Sequence, residues 1–257
     1  MKVVLLAGGF GTRLSEYTDL IPKPMVRIGE HPILIHIMNH YASFGFTDFI
    51  IALGYKSEVI KDYFLNFHTL NSDFSVNLGT GDLQFFSKPK IDWNITLVNT
   101  GGESMTGGRL KRLTPYLEDQ DFFMTYGDGL SDVDIAKTLE FHKSHNKLAT
   151  VTSVIPTARF GEINSTEDGS VISFEEKPKD LSGRINGGFF VFKKEFLNCI
   201  EDDSTVLEQA PLINATSDNQ LMAYAHDGFW QCMDTKRDVD FLNELWTHKK
   251  NKWRFIL

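Results

Sequence analysis

Residues 5–14, LLAGGFGTRL, join an apolar run to three glycines, a threonine and an arginine. Residues 3–7 are all apolar, which is typical of a parallel strand covered on both faces. Glycines directly after such a strand let the backbone approach a phosphate group closely, with N–H groups turned toward the anion. The stretch predicts an α/β fold with a phosphate-binding loop after its first strand, and an ordinary tight turn is the alternative.

The order of the glycines separates this loop from two other nucleotide sites. A dinucleotide site needs G-x-G-x-x-G and a P-loop needs Gly-Lys followed by Ser or Thr, whereas residues 8–13 read G-G-F-G-T-R. The second predicted strand ends at Leu53-Gly54-Tyr55, where a nicotinamide site would have an acidic residue. A nicotinamide-dependent oxidoreductase is therefore the weaker alternative.

Strands and helices alternate along the first part of the chain. The apolar spacing predicts helices over 31–44 and 57–67 around a strand over 48–53. Further strands are predicted at 94–100, 121–126 and 148–155, helices at 106–117 and 131–145, a loop or hairpin insert at 68–94, and short strands and turns at 161–192. We expect one α/β domain over 1–245, with a mixed, mainly parallel central sheet and small β-rich additions, and then a C-terminal tail over 246–257.

Composition excludes several classes of protein. The net charge of −8 argues against a duplex nucleic acid as partner, because that partner requires a basic surface. No apolar run approaches the roughly 18 residues of a membrane-spanning helix, and the first residues do not resemble a signal peptide. Cys199 and Cys232 have neither disulfide-framework nor zinc spacing. We therefore expect a cytoplasmic protein without a membrane partner.

Charged residues stand at positions where the backbone is restricted. Lys23 lies between two prolines, which suits a positioned cation, although a solvated loop lysine is the alternative. Asp128 follows a buried strand between two glycines, where α/β folds place ligands and where a carboxylate can hold Mg²⁺. Asp234 is the candidate for a second metal ligand. Arg109 follows two glycines at a predicted helix start, and Glu176-Lys177 places an acid beside a lysine that precedes proline.

Two pairs of histidines have helical spacing that can bind a metal. His36 and His40 are four residues apart, and His142 and His145 are three apart. No third ligand is evident for either pair, so we interpret them as partly exposed helix residues. Trp246, Trp253 and Phe255 near the C-terminus are expected to pack onto the domain surface.

The motifs LAGGFGTRL, PKPM, YGDG, FEEKP and NGGFF, in this order, resemble those of the sugar-1-phosphate nucleotidylyltransferase family. The resemblance spans roughly residues 1–245 and implies a Rossmann-like nucleotidyltransferase domain. MTGGRLKR at 105–112, INGGFFV at 185–191 and HDGFWQCMDT at 226–235 are similar to the cytidylyl branch of the family. Many UTP and dTTP relatives have Pro-Leu-Thr after the arginine, whereas this chain has Leu14-Ser15-Glu16 there.

The resemblance implies that CTP and α-D-glucose 1-phosphate react to CDP-glucose and pyrophosphate with Mg²⁺ as cofactor. It also implies a homo-oligomer, such as a hexamer, and a product used for surface polysaccharide. The aromatic-rich 68–94 insert is a candidate for the oligomer contact. Two alternatives remain: the same reaction with UTP or dTTP, and a non-catalytic nucleotide-sugar binding protein.

Site residues are carried over from the motifs as expectations. The catalytic residues are Arg13, Lys23 and Lys177, and the metal ligands are Asp128 and Asp234. The sugar-phosphate site comprises Gly161, Glu176, Lys177 and Asn186. The nucleotide site comprises Leu6, Ala7, Gly8, Gly9, Phe10, Gly11, Thr12, Arg13, Lys23, Ser104, Thr106, Arg109, Gly127 and Asp128.

Arg109 is also the candidate that selects the base. An arginine donates only, so it can bond to both N3 and O2 of cytosine, whereas N3 of uracil carries a hydrogen.

Overall fold

The computed structural model describes residues 1–87, 91–156, 162–175 and 183–256. Its strands are β1 Val3–Ala7, β2 Arg27–Ile28, β3 His31–Pro32, β4 Asp48–Leu53, β5 Phe74–Val76, β6 Leu83–Phe85, β7 Asn94–Asn99, β8 Phe122–Tyr126, β9 Gly129–Ser131, β10 Ala149–Val154, β11 Glu162–Ser165, β12 Val171–Glu175, β13 Ile185–Phe192, β14 Leu221–His226 and β15 Trp230–Cys232. Its α-helices are α1 Ser15–Thr18, α2 Ile33–Ala42, α3 Ser57–Leu65, α4 Phe67–Leu70, α5 Thr106–Arg112, α6 Ile135–His145, α7 Ala210–Ser217 and α8 Lys236–Thr247.

The central sheet has the strand order β14-β10-β13-β8-β1-β4-β7. Strand β13 is antiparallel to both of its neighbours, β8 and β10. The other pairs, β10 with β14, β8 with β1, β1 with β4, and β4 with β7, are parallel. The prediction of a mixed, mainly parallel sheet is therefore confirmed.

Strand β1 contributes side chains to a hydrophobic core on each face of the sheet. Its five residues are all buried, and successive side chains of a strand point to opposite faces. Val3, Leu5 and Ala7 belong to one hydrophobic cluster with α2, whereas Val4 and Leu6 belong to the other, with Leu110 of α5. The apolar run that opens the chain is thus the shared wall of two cores.

Several elements start or end elsewhere than the sequence pattern predicts. Helix α2 begins at Ile33, because Pro32 is extended and pairs with Arg27 in a short hairpin. Helix α6 begins only at Ile135, since residues 129–131 pair with β15 as a strand, and the Asp134 side chain caps the helix. Within the insert, β5 and β6 form an antiparallel hairpin.

The histidines of α2 are buried, so the expectation of partly exposed residues is wrong for them. His36 and His40 are 0% and 2% exposed. Trp253, near the C-terminus, is buried and donates its indole N–H to Nδ1 of His36 over 3.1 Å. The i, i+4 spacing placed both histidines on one face, but that face is covered by the C-terminal residues. His142 of α6 is buried as well.

Among the described residues, no helix combines the length and the apolar character that crossing a membrane requires.

Candidate active site

A cleft of about 1190 Å³ opens at the carboxyl ends of β1 and β8. Every residue predicted for the nucleotide site lines this cleft, and so do Asn186 and Asp234. Gly161, Glu176 and Lys177 lie outside the described residues. The structure thus brings together motifs that are more than 200 positions apart along the chain, as the 211-residue separation of Lys23 and Asp234 illustrates.

The glycine loop has two positions that exclude a side chain. Gly11 has a φ of +65°, in the left-handed region, and it starts the short turn Thr12–Leu14. At Gly8, a Cβ atom would lie 2.3 Å from Nη1 of Arg109. The loop backbone therefore packs directly against the Arg109 guanidinium, which the sequence pattern alone does not indicate.

Three charged side chains form a compact cluster, which we call the charged cluster: Lys23, Asp128 and Asp234. The Lys23 ammonium donates to Oδ2 of Asp128 and to Oδ1 of Asp234, each over 2.6 Å. Arg13 donates to the other oxygen of Asp234, also over 2.6 Å, while its own side chain is 74% exposed. One lysine thus joins both predicted metal ligands.

Hydrogen bonds and neighbouring charges keep Lys23 and Asp234 ionised. Burial lowers the pKa of Lys23, but the charge and hydrogen bonds of the two aspartates outweigh burial and raise the pKa above its ordinary value. Burial raises the pKa of Asp234, but Lys23 and Arg13 outweigh it, so that the pKa is lowered. Both groups remain charged at neutral pH. A phosphate can therefore compete with the aspartates for the Lys23 ammonium, and a cation can compete with Lys23 for the carboxylates.

The two aspartates also meet the requirements of a hard divalent cation. Oxygen atoms of Asp128 and Asp234 and the sulfur of Cys232 lie within 4.8 Å of one another. Carboxylate oxygens suit Mg²⁺, whereas a thiol is a poor ligand for it. Burial, followed by the charge of Asp128, raises the pKa of Cys232, so the thiol stays protonated. The donor set fits Mg²⁺ through Asp128 and Asp234.

Sequence reasoning missed two residues of this region. Cys232 stands two positions before Asp234, an interval at which side chains of an extended segment face the same side. Asp238 accepts from the backbone N–H groups of Asp234 and Thr235 and from the Thr235 hydroxyl, over 2.9–3.0 Å. Thr235 caps α8 in return. The Thr-x-x-Asp spacing is a capping-box signal that could have revealed this support of Asp234.

Arg109 is 5% exposed, and its guanidinium is already engaged by the backbone. Nη1 donates to the Gly101 carbonyl over 2.6 Å and contacts the Thr100 hydroxyl over 3.0 Å, while Nη2 donates to the Gly102 carbonyl over 3.0 Å. Burial lowers the pKa of Arg109. Nη1 also donates to the Leu53 carbonyl over 3.3 Å, so both of its hydrogens are taken, and no bond within the described residues uses Nε–H or the second hydrogen of Nη2.

Hydrogen bonds also hold polar side chains that line the cleft, among them Tyr126 and Trp230, which were not predicted as site residues. Tyr126 donates its hydroxyl to Glu208, and Thr106 donates to the other oxygen of Glu208 over 2.7 Å. Trp230 donates its indole N–H to the Gly187 carbonyl over 2.7 Å. Asn186 accepts from the Gly188 N–H over 2.8 Å. These bonds fix the positions of polar side chains in the lining of the cleft.

The sequence profile of the family described as nucleotidyl transferase matches residues 2–250. The chain belongs to the nucleotidyl transferase family. Proteins named glucose-1-phosphate cytidylyltransferase from Salmonella typhi and Salmonella typhimurium are each 49% identical to it over 255 residues, which is 99% of this chain and 99% of each relative. The crystal structure of HddC from Yersinia pseudotuberculosis shares the fold, with a TM-score of 0.70 and 24% identity, and the match covers 95% of this chain and 99% of that one.

Membership of the nucleotidyl transferase family indicates which chemistry a site of this protein has to perform. A nucleotidyl transferase joins two polyanions, so its site must hold phosphates in place and offset their charge. The family generally uses a divalent metal, and the pair of aspartates that Lys23 joins provides carboxylates for one. A buried lysine and two acids beside a glycine loop are groups of the kind that such a site requires.

Proposed function

We propose that the protein transfers a cytidylyl group from CTP to α-D-glucose 1-phosphate, giving CDP-glucose and pyrophosphate. The observation that carries this proposal is the charged cluster, in which Lys23 is held 2.6 Å from both Asp128 and Asp234 in the cleft behind the glycine loop. The 49% identity to proteins named for this reaction supports the choice of substrates.

A phosphate oxygen of glucose 1-phosphate attacks the α-phosphorus of CTP in line, and the bond from that phosphorus to the pyrophosphate oxygen breaks. The sugar phosphate is already an anion, so positioning and charge neutralisation carry the reaction. The glycine loop supplies backbone N–H groups, Thr12 and Arg13 hold the β- and γ-phosphates, and Lys23 bridges the α-phosphate and the leaving group.

Lys23 has a second role before the substrates arrive. Its ammonium neutralises part of the charge of Asp128 and Asp234, which would otherwise repel each other. When phosphates enter, the ammonium turns to them and the two carboxylates are released. Mg²⁺ held by these carboxylates would withdraw negative charge from the α-phosphate.

Arg109 is proposed to read the base. It lines the cleft beside Gly8 and retains N–H donors that can bond to the acceptors N3 and O2 of cytosine. The sugar phosphate is assigned to Glu176, Lys177 and Gly161, which lie outside the described residues, together with Asn186, which lines the cleft.

The test is release of pyrophosphate with Mg²⁺ and glucose 1-phosphate, with CTP, UTP and dTTP supplied in turn. We expect release with CTP at a kcat/KM well above that with the other two. Release with UTP or dTTP alone would leave the reaction class and reject the base. No release with any triphosphate would favour the nucleotide-sugar binding protein.

We also propose a cytoplasmic homo-oligomer that uses its hairpin region as a contact. Leu78 is 92% exposed and Phe86 is 65% exposed, and both lie in or beside the β5–β6 hairpin. Apolar side chains exposed together favour an interface over open solvent. Light scattering after size exclusion measures the assembly, and the double variant Leu78→Ser, Phe86→Ser should yield a smaller species if the proposal holds.

A further inference from the structure

A second pocket, of about 580 Å³, lies at the other end of β8 from the charged cluster. We call it the rear pocket. Four lysines and three acidic residues line it, together with His142, in a chain whose net charge is −8. These charged residues are Lys111, Lys143, Lys193, Lys194, Asp119, Asp121 and Glu195. With His142 neutral, four lysines against three acidic residues leave the rear pocket with a formal charge of +1, on a chain whose net charge is −8.

Hydrogen bonds beside the rear pocket fix the protonation of two histidine rings. The backbone N–H of Lys147 donates to Nδ1 of His145 over 3.0 Å, so this nitrogen is the acceptor. Burial is the largest cause that lowers the pKa of His145 and of His142, the latter to about 4, so both rings are neutral at pH 7. A neutral imidazole has one donor and one acceptor, and Nε2 of His145 therefore carries its hydrogen.

That hydrogen determines the direction of the next bonds. Nε2–H of His145 donates to the hydroxyl of Thr150 over 2.8 Å. Thr150 is buried, and within the described residues the acceptor available to its own O–H is Nδ1 of His142, at 2.8 Å. Nδ1 of His142 is therefore the acceptor, which places the hydrogen of this ring on Nε2.

This series of hydrogen bonds ends at Nε2–H of His142, a buried donor for which the described residues provide no acceptor. His142 is 0% exposed, and its Nε2 has no hydrogen-bond partner among the residues that the structure describes. The carboxylate of Asp121 lies 3.9 Å away, beyond hydrogen-bond distance. Buried N–H groups in proteins are nearly always paired, so this one requires an acceptor.

The groups that face His142 come from four parts of the chain. Lys143 follows it on α6, and Lys193 follows β13 with its ammonium bonded to Asn146. Thr150 belongs to β10 and Asp121 precedes β8. Lys193 and Lys143 contribute positive charge at this ring, and the carboxylate of Asp121 contributes negative charge. Two ammonium groups against one carboxylate leave a net positive charge around this donor N–H, which suits an oxyanion better than a cation.

We propose that the rear pocket binds a small inorganic oxyanion of the phosphate class, which accepts from Nε2–H of His142 and is offset by Lys143 and Lys193. The pocket volume accommodates phosphate or pyrophosphate. The inference does not depend on the reaction in the main cleft.

The first test measures which nitrogen of His142 carries the hydrogen and how that N–H signal responds to anions. Protein labelled with ¹⁵N-histidine is titrated with inorganic phosphate and, separately, with pyrophosphate, against potassium chloride of equal ionic strength. We expect His142 to carry its hydrogen on Nε2 and its Nε2–H signal to shift saturably with at least one of the two anions. Comparing them distinguishes the anions, and phosphate bound in the main cleft does not affect the reading, because the signal belongs to His142.

Matched variants test the donor and the charge. His142→Gln keeps an amide N–H near the position of Nε2, whereas His142→Asn keeps one near Nδ1, beside Thr150. For these variants the anion is measured by calorimetry, and we expect binding to persist in the first and to be lost in the second. Lys143→Gln should weaken binding about tenfold, as loss of one charge-assisted bond does. Lys137→Gln, on the same helix with a side chain 70% exposed, should not.

The proposal is overturned by any of three results: a hydrogen on Nδ1 of His142, a shift that chloride reproduces, or equal anion binding by His142→Asn and the wild type. Thermal unfolding of each variant confirms that it is folded. The first experiment uses the wild-type protein, so a variant that fails to fold leaves the inference testable.

Discussion

The charged cluster and the aromatic rings around His36, which are Trp246, Trp253 and Phe255, both lie largely inside the protein, yet they differ in charge. In the first, the Lys23 ammonium forms ion pairs with Asp128 and Asp234. In the second, His36 hydrogen-bonds the Ile28 carbonyl and the Trp253 indole and is kept neutral, because burial lowers its pKa to about 4. Buried ion pairs are weak contributors to stability, whereas a buried neutral ring packs at little electrostatic cost. The contrast indicates that the first is retained for function and the second for stability.

Replacing Lys23 tests whether the charged cluster is retained for function, and of the changes proposed here it has the largest expected effect. Lys23→Ala should lower kcat on the order of 10²–10³-fold or more, since a positioned charge at the transferred phosphate is lost. Steady-state pyrophosphate release measures the change. Lys236→Ala removes an exposed lysine just beyond Asp234 and should leave kcat within about twofold. Near-normal turnover by Lys23→Ala would end the assignment.

Lowering the pH tests whether the buried, neutral His36 contributes to stability. An unfolded histidine, with a pKa near 6.5, takes up a proton in a range where His36 stays neutral while folded. The free energy of unfolding should therefore fall as pH decreases from about 6.5 to about 4, by about 3 kcal/mol for this residue. His40 has the same shift and adds to the fall. Urea unfolding at several pH values measures it.

The control for the acid experiment is a pair of variants. His36→Gln should flatten the pH dependence, although it also removes ring contacts with Trp246 and Phe255. His248→Gln changes an exposed histidine and should leave the profile unchanged. An equal slope for His36→Gln and the wild type would show that His36 is not the buried neutral group described here.

Arg109 tests whether the same cleft selects the base. Arg109→Ala should reduce the ratio of kcat/KM for CTP over UTP by about tenfold or more, because donors for N3 and O2 are lost. Arg112→Ala removes a nearby arginine that pairs with Asp203 and should leave the ratio unchanged. If both variants keep the wild-type ratio, another group reads the base.

Asp238 tests how strongly α8 supports the charged cluster. Asp238→Asn should cost about 1 kcal/mol of stability, because it weakens the Asp238 half of the capping box formed with Thr235. It should also raise the Mg²⁺ concentration for half-maximal activity, because Asp234 is held less firmly. Asp240→Asn, whose partner is the exposed Lys236, is the matched control. Unchanged stability and an unchanged Mg²⁺ requirement in Asp238→Asn would show that the Asp238 carboxylate supports neither α8 nor Asp234.

The kinds of elements and the position of the cleft followed from the sequence, because apolar periodicity and glycines after strands are local signals. Contacts between distant residues did not. The Lys23–Asp234 bond joins positions 211 apart, so each residue was a candidate but their pairing was not foreseen. The exposure of His36 was misjudged for a related reason, since the spacing of α2 does not reveal that Trp253 covers it.

An isotope experiment tests the central claim most directly. Glucose 1-phosphate labelled with ¹⁸O in its phosphate is incubated with CTP, Mg²⁺ and the protein, and both products are analysed by mass spectrometry. Attack of a sugar phosphate oxygen on the α-phosphorus predicts that all of the label is found in CDP-glucose and none in pyrophosphate. Label in pyrophosphate, or no CDP-glucose at all, would contradict the account.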